Sequence, residues 1–356
     1  MKPGATALLS AAIALALLGC RKDPALESLT GPPTPLELAL PAHLADSGIY
    51  AHHAPGNPLT AEGVALGRLL FYEKALSDNY SMSCGSCHRQ EDAFSDARRF
   101  SIGTDGSVGR RQAMSIANMA FDMHIFWDGR VSTLEQQAAL PVIDHAEMRN
   151  TWPVVVARLS GMPRYPPLFA RAFGSPRIDS ARVVQAIAQF ERTLLSFDSR
   201  WDRYMYGGDA SALSEQELRG MDLFFRRAHC NDCHKAPLFA DHALRNNGLD
   251  LVYADGGLGE LTGNPADRGK FKVTTLRNIA RTAPYMHDGR FATLEEVVRF
   301  YAEEVRTESP QLDNHMGPWL AGQVNLSEQD RADLVAFLHA LTDEGFLRNP
   351  AFSDPH

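Results

Sequence analysis

Two segments, Cys84-Gly-Ser-Cys87-His88 and Cys230-Asn-Asp-Cys233-His234, constrain the fold of this 356-residue chain more than anything else in it. In a Cys-x-x-Cys-His segment the two thiols form thioethers with the vinyl groups of a haem, and the adjacent imidazole becomes an axial iron ligand. Zinc also binds CxxC pairs as thiolates, but it does not call for a histidine directly after each pair. Four of the five cysteines fall in these motifs and the fifth is Cys20, so none is left for a disulfide or a catalytic thiol. The chain is therefore expected to fold around two c-type haems, with His88 and His234 on the irons.

With 44% hydrophobic and 22% charged residues, the chain is long enough for two compact domains, each with its own core. A net charge of -8 excludes nucleic acid, whose phosphates require a basic face. Lys2, an apolar run from Ala5 to Leu18 and the ending Leu17-Leu18-Gly19-Cys20 read as an export signal over 1–20, too short to span a bilayer. The ending resembles the lipobox of bacterial lipoproteins, in which the Cys is acylated. This predicts a protein on the periplasmic side of a bacterial membrane, touching it only through lipid on Cys20. Residues 21–57, with Pro24, Pro32, Pro33, Pro35, Pro41 and Pro55, read as a tether.

Helical signals dominate the remainder of the chain. Thr60 opens an apolar-periodic run with Val64, Leu66, Leu69, Leu70 and Phe71 before the first haem motif, and Ser214 opens a matching run before the second. Helical spacing recurs from Arg182 to Phe197 and after Ser327. Ser115-Ile-Ala-Asn118, Trp127-Asp128-Gly129-Arg130 and Thr133-Leu134-Glu135 match Thr275-Leu-Arg-Asn278, His287-Asp288-Gly289-Arg290 and Thr293-Leu294-Glu295 at a constant offset of 160. The expected fold is mainly α: two cytochrome c-like domains related by an internal repeat, over 58–205 and 206–348, with 349–356 as a tail. The halves differ where Trp127, Gln137, Pro141 and Glu147 face His287, Val297, Tyr301 and Thr307. The first half thus carries polar groups suited to acid-base chemistry, and the second a candidate iron ligand.

Over about residues 58–345 the chain resembles the bacterial di-haem cytochrome c peroxidase family, including its MauG-like branch. The likeness rests on the two CxxCH motifs, on FWDGR with the following LEQQA, and on TLRNIARTAPYMHDGRFATLEEVV. It implies an oxidoreductase acting on hydrogen peroxide, with a peroxidatic haem in the first domain and an electron-transfer haem in the second. It places Trp127 between the haems, Gln137 and Glu147 as distal Gln and catalytic Glu, and Tyr301 where many members have a Met and the MauG branch a Tyr. Met286 is the first rival for that position, followed by His287, His315 and Met316. The resemblance also implies calcium between the domains, with Thr282 and Pro284 at ligand positions and Gln112 where an Asn is usual.

Peroxide O–O heterolysis needs an open iron position and a group that carries a proton from the inner oxygen to the leaving one. Glu147 suits that role, Gln137 orients the bound oxygen species, and Pro141 cannot ligate. Many members of the family block this iron with a His from the loop after the first CxxCH. Here no His lies between Arg89 and Met123, and Met114 and Met119 are the weaker ligands left there, so the first iron is expected to be open. Three functions are consistent with these residues: peroxide reduction with electrons from a small cytochrome c or a cupredoxin, MauG-like oxidation of a partner protein, and non-enzymatic electron transfer. The third leaves Gln137 and Glu147 without a purpose.

Overall fold

The computed structural model describes residues 33–45, 49, 51–52 and 56–356, so the export signal and Cys20 lie outside it. In each half an N-terminal helix leads into the haem motif and a later helix crosses back over it. In the first half these are α1 (Ala61–Phe71), α2 (Leu134–Ile143) and the crossing helix α3 (Ser180–Arg192). The second half has α4 (Glu215–Phe225), α5 (Leu294–Arg299) and the crossing helix α6 (Glu328–Ala340). Side-chain caps start them where the sequence indicates. Thr60 accepts from Gly63 N, and Ser214 and Ser327 form capping boxes with Glu217 and Asp330. The helix expected over 182–197 instead runs from a cap at Asp179 to Arg192, because Leu194 turns its carbonyl to Asn118 N.

Glycine fixes both crossings. A Cβ on Gly67 would stand 1.9 Å from Ala186 O and 2.9 Å from Phe190 Cβ; on Gly220 it would stand 1.9 Å from Asp333 O and 2.9 Å from Phe337 Cβ. Glycine inside a helix costs about 1 kcal/mol against alanine, which the close approach of the two backbones offsets. The internal repeat holds to the same detail. Asn118 and Asn278 both sit at φ 59°, a left-handed conformation that asparagine tolerates, and they donate to Leu194 O and Leu341 O. The only strands among the described residues are β1 (Leu244–Arg245) and β2 (Phe271–Lys272), paired antiparallel with Leu244 opposite Lys272.

Two boundaries expected from the sequence are corrected. Part of the predicted tether belongs to the fold: Thr34 donates to Glu62 through both its backbone and its hydroxyl, and Leu44 is fully buried against Phe121 and Leu238. The chain end is neither second-domain helix nor tail. After α7 (Glu344–Arg348), Phe346, Leu347 and Phe352 enter the core of the first half, where Phe346 and Phe352 pack against Phe94. Arg68 and Tyr72 of the first half hold carbonyls of residues 350–353. Prolines hid the first segment from periodicity, and polar residues hid the second.

Candidate active site

Each haem motif lines its own cavity. The first, about 450 Å³, holds Cys84, Cys87 and His88; the second, about 220 Å³, holds Cys230, Cys233 and His234. None of the four sulfurs is in a disulfide. Desolvation holds both imidazoles below the usual histidine range, so they are neutral. His88 Nδ1 lies 2.9 Å from Phe94 O and His234 Nδ1 lies 3.1 Å from Phe239 O. Only an Nδ1–H can make those bonds, which leaves the lone pair on Nε2 for a metal. Two free thiols and one oriented imidazole in each largely apolar cavity fit a covalently attached haem.

Polar groups without partners gather in the first cavity. Gln137 projects from α2, which Thr133 caps, and its Oε1 is buried with no hydrogen-bond partner among the described residues. Glu147 lies in the turn after α2, held by Thr104 N–H on its carbonyl at 3.0 Å. Burial, with Asp144 adding to it and Arg130 opposing, pushes its carboxyl up to about 7. Pro141 lines the same cavity and brings no donor atom, as expected. Met114 and Met119 are also in the lining, but Met119 Sδ lies 3.4 Å from the buried Lys272 ammonium, which occupies it.

Trp127 lines both cavities, together with Gln112 and Met114. Its Nε1–H donates to Gln112 O at 2.7 Å, which fixes the indole, and its main-chain carbonyl accepts Lys272 N–H at 2.8 Å, which ties its backbone to the second half. Gln112 N–H in turn donates to His287 O at 2.8 Å, tying the two members of the repeat pair Trp127 and His287 through one residue. His287 stacks on Phe271 at 3.7 Å, and burial lowers its pKa to about 4.

In the second cavity Tyr301 falls in a π-helical turn, Phe300–Glu304, that continues α5. Such bulges re-aim a side chain within a helix. Asn247 stands between the two rival ligands: its Nδ2–H donates to Tyr301 Oη at 2.9 Å and lies 3.9 Å from Met286 Sδ. Burial raises the Tyr301 phenol, and the Asn247 donor works against that rise. His287 and Met316 also line this cavity; His315 does not, being engaged by Asp313 and Arg245. Thr282, Pro284 and Gln112 share the cavity lining.

Sequence reasoning missed Asn247, which carries no motif, and Glu191. Glu191 lies on α3, is 4% exposed and lines the first cavity, and its carboxyl is pushed up to about 8 by burial.

Comparison with known proteins identifies the family and the fold. Residues 61–210 match the family model described as di-haem cytochrome c peroxidase. The chain is 38% identical over 305 residues to the methylamine utilization protein MauG of Methylorubrum extorquens, covering 82% of this chain and 81% of that one. It is 37% identical over 323 residues to cytochrome c551 peroxidase of Nitrosomonas europaea, covering 87% and 90%. Among solved structures, a MauG-like protein associated with microbial copper homeostasis superposes with a TM-score of 0.78 at 36% identity, over 92% of this chain and 97% of that one. The chain belongs to the di-haem cytochrome c peroxidase family.

Proposed function

We propose that the chain reduces hydrogen peroxide to water in its first cavity, with electrons relayed from the second. The observation that carries this reading is the pairing of an orphaned Gln137 amide oxygen with a Glu147 carboxyl held near neutrality, in a haem cavity where Pro141 supplies no sixth ligand. The haem supplies the iron that binds peroxide and exchanges electrons. Glu147 accepts the proton of the inner oxygen and returns it to the leaving one; a pKa near ambient pH suits both transfers. Gln137 orients the oxygen species through its free amide. Trp127, fixed between the cavities, is the side chain through which charge passes.

Tyr301 favours a second reading, MauG-like oxidation of a residue on a partner protein. An anionic oxygen ligand stabilises ferric and higher states, and Asn247 is placed to support it. In the first reading the partner is a small cytochrome c or cupredoxin, in the second a protein substrate. Calcium enters on the same footing: the carbonyls of Thr282 and Pro284 are hard oxygen donors suited to it, beside Gln112, whose Nε2–H₂ is turned to Ser95 and Asp96. Export and acylation at Cys20 complete the reading. No helix among the described residues is long and apolar enough to cross a membrane.

Electron paramagnetic resonance of the oxidised protein tests the assignment. It predicts one high-spin ferric signal and one low-spin signal, the low-spin one altered by Tyr301→Phe and both bleached by peroxide. Two low-spin signals indifferent to peroxide would overturn it. Turnover with a reduced small cytochrome then separates peroxide reduction from oxidation of a partner protein.

A further inference from the structure

The two crossing helices correspond position by position. Gly67 meets Ala186 and Phe190 as Gly220 meets Asp333 and Phe337, with the same distances. The residue after each phenylalanine faces its haem cavity: Glu191 in the first and Leu338 in the second. One fold position, against one kind of cofactor, is thus a carboxyl in one half and an apolar side chain in the other. An apolar residue is what such a wall ordinarily takes.

Burial outweighs the one attraction Glu191 feels, from the adjacent Arg192, and Glu135 opposes its charge. Glu191 Oε2 is buried with no hydrogen-bond partner among the described residues. The adjacent guanidinium of Arg192 is taken by Glu135 of α2, at 2.8 and 2.9 Å. From the haem loop Cys84 faces it, and Glu147 lines the same cavity. The charged groups of the other elements packed on α3 are directed elsewhere: Glu62 to Thr34, Arg68 to the C-terminal segment, Arg158 to the carbonyls of Ala75, Ser77 and Asp78, and Asp122 to Lys272. A buried carboxyl without a partner is costly, and burial raises its proton affinity, pushing its pKa up to about 8, so that it changes charge on the alkaline side of neutrality.

We propose that Glu191 is the redox-linked proton site of the first haem: on the alkaline side of neutrality, where the oxidised protein holds it ionised, it takes one proton from solvent when an electron enters that cavity and returns it when the electron leaves. Carboxylate plus proton gives the neutral acid as the ferric iron gains its electron, so the net charge of the cavity is unchanged. In a poorly solvated site an added negative charge raises the proton affinity of a nearby carboxyl, and by reciprocity the proton raises the electron affinity of the iron. The reduction of peroxide to two waters consumes two protons with two electrons, and Glu191 supplies a proton-holding group besides Glu147. The inference rests on haem attachment at Cys84 and Cys87, not on which iron meets peroxide.

The test is the midpoint potential of each haem in the haem-loaded protein as pH is varied, without peroxide, for the wild type, Glu191→Gln and Glu191→Leu. Leucine is the second half's own residue at this position, so Glu191→Leu decides the matter if Glu191→Gln loads haem poorly. The first-haem potential of the wild type falls as pH rises through the alkaline range in which Glu191 ionises, and both variants lose that slope. Proton uptake on reduction, read with an indicator in weakly buffered solution, drops by about one proton per electron. A slope that persists in both Glu191 variants, or that disappears only in Glu147→Gln, overturns the proposal. Because no turnover is measured, failure here is distinguishable from failure of the peroxidase reading, which turnover tests.

Discussion

Replacing Glu147 by glutamine tests the acid-base assignment through two readouts of opposite sign. A carboxyl held at about 7 against an ordinary 4.5 costs the folded protein about 3 kcal/mol once ionised, at 1.36 kcal/mol per tenfold change in proton affinity. The native state binds this proton more tightly than the unfolded chain. Stability therefore falls as pH rises from the unfolded carboxylate range through about 7, and is level above it. Glutamine keeps the shape and removes the charge. At alkaline pH the Glu147→Gln protein should be more stable than wild type by up to about 3 kcal/mol, with no difference below the unfolded carboxylate range. Urea unfolding at the two pH extremes measures this. Peroxide turnover moves the other way: kcat and kcat/KM should fall together by about 10²–10⁴, as when a transition-state proton transfer is lost. The wild-type rate should rise with pH through about 7, and the variant should be flat. A variant that keeps turnover within about tenfold of wild type, or that is no more stable at alkaline pH, refutes the assignment.

Trp127→Phe removes the 2.7 Å bond to Gln112 O, costing about 1 kcal/mol in urea unfolding; stopped-flow reoxidation should show slower electron exchange between the haems while both resonance signals stay in place. Asn247→Leu withdraws the donor from Tyr301, so the low-spin signal and the second haem's midpoint potential should both shift while the high-spin signal does not; an unchanged low-spin signal counts against Tyr301 as ligand. Lys272→Met leaves the buried Asp122 with His242 Nδ1, at 2.9 Å, in place of the ammonium on its other oxygen, and should destabilise by about 3 kcal/mol, with much of the loss recovered in the Lys272→Met, Asp122→Asn double variant.

Much of the fold was legible in the sequence because its signals are local or repeated. The caps at Thr60, Ser214 and Ser327 start helices where read, and the constant offset between the halves survives to the backbone angles of Asn118 and Asn278. Residues were hidden where their meaning depends on distant contacts. Leu44 and Phe352 carry no periodicity, and only the hydrophobic surface across the chain explains their burial. Asn247 is one amide in an irregular loop until the fold brings it to Tyr301. Glu191 reads as one more polar residue on an amphipathic helix. The ungapped repeat ends before the crossing helices, so its counterpart Leu338 emerges only from the glycine contacts.

The division of labour between the halves follows from where their shared frame is broken. Each half keeps what attaches a haem: two thiols, an imidazole oriented by a backbone carbonyl and a glycine crossing. Within that frame the first cavity acquires Gln137, Glu147 and Glu191 where the repeat or the crossing helix gives the second half Val297, Thr307 and Leu338. Among the described residues, buried side-chain oxygens without partners line the first cavity, at Gln137 and Glu191, and none lines the second. Such atoms cost the fold about 1–3 kcal/mol each. In a chain whose second half lines its haem cavity with apolar side chains, their concentration in one cavity is what the proposed peroxide chemistry and proton movement call for, and on the same proposal the second cavity, with Tyr301 and Asn247, holds charge.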